Sequence, residues 1–113
     1  MRDRIVDALK PLGVDLFWNV NDTNSDEYIV FSIYNTANTD LCENRHLSTE
    51  YHIVLTYWFK SLKCLNNEDK IPDLMKKSGF YFVSKQDRYE SGFYGIEYTF
   101  TIEIMDKVGE NNG

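Results

Sequence analysis

The sequence has little of what most chemistries need. Two histidines and two cysteines are all that its 113 residues offer toward metal ligation or thiol chemistry. Cys42 and Cys64 make neither a CxxC pair nor a zinc spacing. With only His46 and His52 beside them, a four-ligand set would need carboxylates from scattered places, so neither a metal nor a cofactor is expected. The cysteines read as free thiols in a reducing cytoplasm. Proline occurs twice and glycine six times, which argues against a linker-like or disordered chain. No apolar run approaches the length of a membrane span. Met1-Arg2-Asp3-Arg4 leads into an amphipathic segment, so no signal peptide is expected. A Gly-rich phosphate loop is missing, since Gly92 and Gly95 flank a hairpin, where glycine serves a turn or a bulge. Basic clusters are also scarce. The longest is Lys76-Lys77, at a predicted helix end where lysine belongs. With a net charge of −6, no patch offers itself to phosphates or to an anionic membrane.

Aromatic residues, by contrast, make up 15% of the chain, with eight tyrosines and seven phenylalanines. A chain this long is expected to form one domain over 1–105 and to bury a core without staples. Residues 106–113 read as a flexible polar tail.

The clearest pattern is the last full segment, 93–105. Tyr94, Ile96, Tyr98, Phe100, Ile102 and Ile104 alternate with Gly95, Glu97, Thr99, Thr101 and Glu103. Period two means a strand with one buried and one wetter face. A Ser91-Gly92 turn joins it to a preceding strand over 80–90. Near the start, Ile5, Leu9 and Leu12 share one helical face over 2–12, with regular structure fading near Lys10 because Pro11 does not fit inside a helix. Leu16, Trp18 and Val20 alternate over a short strand, 21–27 is a polar loop, and 28–35 is a second strand. Residues 35–45 lack any period and read as a long loop. A third strand runs from about Leu47 to Lys60, roughly 40 Å at 3.3 Å per residue. It is long enough for one end to project beyond the core. Residues 63–70 are polar. Ile71, Leu74 and Met75 then mark a short helix with Asp69 as its cap, Pro72 in its first turn and Gly79 at its end.

The predicted order is helix-strand-strand-strand-helix-strand-strand. This is an α+β fold, an antiparallel sheet of about five strands with two amphipathic helices packed on it.

Glu50 and His52 are neighbours on one strand face, and a carboxylate beside an imidazole can orient a general base. The nucleophile or substrate-holding group that should accompany them is not evident, and a solvated strand-face pair explains them as well. Asp87, Glu90, Glu97 and Glu103 read as charges on the wet face of a hairpin. Tyr28, Tyr34, Val54 and Trp58 alternate onto the faces opposite the best apolar sets. They mark an intersubunit surface, a sheet covered by helices on both sides, or a sheet that curls.

From the third strand onward the chain resembles the small tail-completion proteins of long-tailed bacteriophages, the tail-terminator or head–tail joining proteins. The matching features begin with Thr49-Glu50-Tyr51-His52-Ile53-Val54-Leu55-Thr56-Tyr57-Trp58-Phe59. A short helix ending in Ser78-Gly79-Phe80 follows, then Asp87-Arg88-Tyr89-Glu90, the Ser91-Gly92 turn and the strand from Tyr94 to Ile104. The N-terminal helix and Glu27-Tyr28-Ile29-Val30-Phe31 fit as well, so the resemblance spans about 1–105. It implies a structural virion protein and not an enzyme, assembled in the bacterial cytoplasm as a hexameric ring. Such a ring sits at the head-proximal end of the tail, between the tail tube protein and the head connector or stopper protein. DNA passes through its lumen without specific binding. The family carries no catalytic residues, and its interfaces lie in loops and hairpin ends. Here these would involve Tyr34, Asp40, Glu43, Arg45 and Trp58. Alternatives are a different phage adaptor of similar fold, and a small ligand-binding or catalytic domain using Glu50 and His52.

Overall fold

A computed structural model describes the chain over residues 1–19, 25–40 and 45–105, and its side chains over the same residues except 36–40 and 45–47. Helix α1 (Arg2–Leu9) buries Ile5, Ala8 and Leu9, one stripe of an amphipathic helix. It tightens into a 3-10 turn over Lys10–Leu12, where Pro11 has no N–H to continue the helical ladder. Strands β1 (Asp15–Trp18), β2 (Glu27–Asp40) and β3 (Arg45–Phe59) follow. A 3-10 helix over Leu62–Asn67 leads into α2 (Lys70–Lys77), and β4 (Tyr81–Glu90) and β5 (Phe93–Met105) close the fold. Asp69 occupies the N-cap position of α2, which puts Pro72 third in the helix, as its missing N–H requires. The β4–β5 turn places Ser91 at φ 51° and Gly92 at φ 85°, the left-handed pair that matches strand twist in a two-residue hairpin.

The sheet order is β1-β2-β3-β5-β4. The pairs β2–β3, β3–β5 and β4–β5 are antiparallel, but β1 lies parallel to β2. The expectation of a purely antiparallel sheet is thus corrected to a mixed one. Parallel pairing normally needs a long crossover, but β1 has only four residues. The chain between Trp18 and Glu27 therefore has to retrace only about 13 Å.

Both helices pack on the same face. Ile5, Leu9, Ile71 and Met75 join Ile29, Phe31, Ile53, Leu55, Tyr57, Phe59, Ile96, Tyr98, Phe100 and Ile102 in one buried cluster. β5 packs under Leu9 and Met75, with Leu74 at the margin of the cluster. Two tyrosines bring hydroxyls into this core, and both hydroxyls are satisfied, as burial demands. The Tyr57 hydroxyl donates to Glu27, and Asn67 Nδ2 donates to the Tyr57 oxygen at 2.9 Å. The Tyr98 hydroxyl donates to the Glu68 carbonyl at 2.7 Å. These bonds tie the Leu62–Asn67 segment to the sheet.

Two segments differ from their sequence reading. Residues 35–45, expected as a loop, are mostly strand: β2 pairs with β3 as far as Asp40↔Arg45, with an irregularity between Asn38 and Thr39. Backbone ladder bonds do not need an apolar side-chain period, so the Asn- and Thr-rich sequence conceals the strand. Residues 63–70, read as merely polar, include most of the 3-10 helix. Its three-residue turn does not follow the 3.6-residue period that marks an amphipathic α-helix. Residues 41–44 and the predicted tail 106–113 lie outside the described residues.

Candidate functional site

The sheet face turned away from the helices carries the interface candidates. In register across it stand Tyr28, Trp58, Gly95 and Arg88 in one row, and Tyr34, His52 and Thr101 in another. Among the described residues no helix packs on this face. The proposal that helices cover both sides is thereby corrected: α1 and α2 share the opposite face.

Trp58 is built into the surface. Its indole lies flat enough on Gly95 that a Cβ added there would come within 2.6 Å of the ring. Arg88 places its guanidinium 6.0 Å from the indole centroid, within reach of the ring's negative face. Tyr28 is 7% exposed and meets Phe17 and Phe93 edge to face, with centroids at 6.3 and 5.6 Å. Burial first, and the Glu90 carboxylate second, push its hydroxyl above the usual tyrosine range. Lys60 Nζ sits 4.9 Å from the Phe93 centroid. Phe17, Tyr28, Trp58 and Phe93 thus form an aromatic plate edged by cations. Sequence alternation had singled out Tyr28 and Trp58. It missed Phe17 and Phe93, because only strand pairing brings β1 and the final turn beside them.

Replacing Gly95 with Ala is expected to cost about 1–3 kcal/mol, the usual price of overpacking, and to lift the indole off the sheet. A denaturant melt together with a red shift of tryptophan emission would report this. Unchanged stability and emission would show that Trp58 does not rest on Gly95.

The second cluster lies further along the same face. Tyr34 is 57% exposed and stacks on His52 with centroids 4.6 Å apart and planes within 5°. Glu50 Oε1 lies 3.5 Å from His52 Nε2, so the predicted pairing of these two side chains is present. The pair is bracketed by a stacking tyrosine, and those three groups alone do not define a reaction.

Of the five sequence-derived interface residues, the four described ones do not form one patch within a subunit. Tyr34 and Trp58 share a face but stand six positions apart in register, about 20 Å. Asp40 and Arg45 are backbone partners at the far end of the β2–β3 ladder. Within one subunit Trp58 is thus about 40 Å from that end. Glu43 and Cys42 lie outside the described residues.

A groove on the helix side went unread in the sequence. It encloses about 530 Å³ between the 3-10 helix and the β4–β5 hairpin, lined by Leu62, Leu65, Tyr89, Tyr94, Phe59 and Ile96, with Glu68, Asp87 and Arg88 at its margin. Lys85 Nζ bonds Glu68 at 2.7 Å, and Arg88 is shared between Glu90 at 3.1 Å and Glu97 at 3.5 Å. Cys64 is a free thiol near this segment, its pKa raised chiefly by burial. Among the described residues no group of three or more His, Cys, Asp or Glu stands close enough to hold a metal ion, and no helix is long and apolar enough to cross a membrane. No protein-family model matches the chain, and no curated protein matches it.

Proposed function

We propose that the protein is a structural subunit, not an enzyme, of a ring that completes the tail of a long-tailed bacteriophage. The ring sits between the tail tube and the head connector and lets DNA pass without holding it. The observation that carries this reading is the shape of the sheet. β1 pairs only with Tyr28–Phe31 of β2, while β2 and β3 stay paired out to Asp40 and Arg45. Beyond the helix-backed core the sheet therefore narrows into an arm of β2, β3 and β5. An arm of this kind, beside an uncovered aromatic face, is suited to engaging neighbours in an assembly. The resemblance to tail-completion proteins supplies the identity of that assembly. A net charge of −6 suits a lumen that must not bind phosphates.

Charge reversal of Asp40, at the end of the described arm, together with Glu43 (Asp40→Lys with Glu43→Lys) is expected to impair tail completion while leaving the melting temperature within a few degrees of the parent. The check is complementation of a phage lacking this protein, scored in electron micrographs by tail length and head attachment. Normal particles from a normally folded double variant would remove these two residues from the interface. Normal particles in the complete absence of the protein would sink the tail-completion reading itself.

A further inference from the structure

We propose that the groove beside the β4–β5 hairpin receives Trp18 and Arg2 of a second copy of the chain, making a head-to-tail contact. The inference deepens the ring reading, whose subunit contact it names.

The groove is apolar where a folded monomer should be polar. Leu62 is 59% exposed, Leu65 43% and Tyr89 65%, and they gather around the same 530 Å³ hollow. Scattered exposed apolar residues are ordinary, but a contiguous concave set marks a binding surface. The hollow also has a sign. Glu68 and Arg88 are engaged with Lys85 and with Glu90 and Glu97. Asp87, which also lines the hollow, makes no close ion pair among the described residues, since Lys85, which feels its charge, is bonded to Glu68. The groove thus asks for a large apolar group accompanied by one positive charge.

The opposite edge of the sheet presents that combination. Trp18 closes β1, is 48% exposed, and carries the Arg2 guanidinium 4.5 Å above its ring. Tryptophan and arginine are the side chains most enriched among those that dominate interface energies. The two features match in apolar character and are complementary in charge. They lie at the two edges of one sheet, with β1 at one end of the strand order and β4 at the other.

Both features also look out from the helix side. Trp18 is in register with Phe31, a core residue, and the groove is floored by Phe59 and Ile96, also core residues. Trp18 and Arg2 on one edge cannot reach the groove on the far edge of their own sheet. They can meet the groove of a neighbour oriented the same way. A contact between two different patches repeats from copy to copy, closing into a ring or extending as a filament.

The test uses the full chain at rising concentration in sedimentation velocity, with thermal melts as the control for folding. Arg2→Glu and Asp87→Arg each reverse one charge of the contact at an exposed site, and each is expected to weaken self-association at least tenfold. The double variant, with the charges exchanged, is expected to recover most of the loss. Trp18→Ala should abolish association, while the parent forms species larger than a dimer. Association left unchanged by both single reversals overturns this contact and leaves the ring reading standing on other surfaces. A parent chain that stays monomeric at millimolar concentration overturns the contact as well. The ring reading fails on separate ground, in the phage complementation described above.

Discussion

Phe100→Ala is expected to remove about 3–5 kcal/mol of stability, the range for truncating a buried phenylalanine. Domains of this size commonly hold about 5–15 kcal/mol in total, so the variant should sit near the edge of folding. Phe100 is fully buried, in a strand with neighbours on both sides. Ile53 of β3 and Phe82 of β4 are its register partners. Its ring meets Phe82 edge to face at 5.8 Å and lies near-parallel to Tyr98 at 6.0 Å. Strand β5 pairs along its whole length and cannot collapse into the hole without breaking two ladders, so most of the cavity should persist. Equilibrium urea unfolding checks this, with Thr99→Ala on the opposite face as the control. A loss below 1 kcal/mol for Phe100→Ala would show that the helices do not pack on this face.

The second large effect is expected at high pH. Tyr57 and Tyr98 are both fully buried. Burial is the main cause pushing both hydroxyls well above the ordinary tyrosine value. For Tyr57 the bond to Glu27 adds to the shift and the bond from Asn67 opposes it. For Tyr98 the nearby carboxylates of Glu68, Asp69 and Asp87 add to it. A tyrosine in the unfolded chain releases its proton near pH ~10, whereas these two keep theirs in the fold. Above that pH the folded state binds more protons than the unfolded state, so stability falls as pH rises. The contribution is complete below pH ~10 and should decline by about 1.4 kcal/mol per group for each pH unit above it. Urea melts between pH 8 and pH 12 are the measurement. Tyr98→Phe should flatten the decline by about half. It loses only the bond to the Glu68 carbonyl, at a cost of about 1–3 kcal/mol at neutral pH. A stability curve that is flat through pH 11 would mean that the hydroxyls reach water.

How much of this fold could be read in the sequence depended on whether a segment's side chains have two different environments. β5 does: Ile96, Tyr98, Phe100 and Ile102 face helices, while Glu97, Thr99 and Thr101 face the other way, and the alternation announces the strand. α2 does too, with Ile71 and Met75 buried between Asp69 at one end and Gly79 at the other. The arm does not. Residues 36–40 are Thr-Ala-Asn-Thr-Asp, without a hydrophobic face, and their strand geometry comes from pairing with β3. The Leu62–Asn67 helix escaped notice because Leu62, Cys64 and Leu65 fit neither period. It is held by Tyr57 of the strand before it, and its C-cap Glu68 is held by Tyr98 of β5.

The candidate surfaces divide in the same way. Strand alternation was enough to put Tyr34 and Trp58 on the face opposite the core, and to make Glu50 and His52 neighbours, because a strand's side chains repeat with period two whatever lies around them. Whether that face stays open is a property of where the helices go, and α1 and α2 both chose the other side.

The sequence by itself therefore determined the α+β class, both helices, the final hairpin and the core face of β5. Each of these follows from a local period or a local turn residue. Only the tertiary structure decided that β1 runs parallel to β2, that β2 and β3 extend to Asp40 and Arg45, and that an apolar groove and an arginine-capped tryptophan lie at opposite sheet edges. Those features arise from pairing and packing between different segments of the chain, whether near or far in sequence. Backbone hydrogen bonds are alike for every residue, so they leave no mark in the sequence that reveals which partner a strand will take.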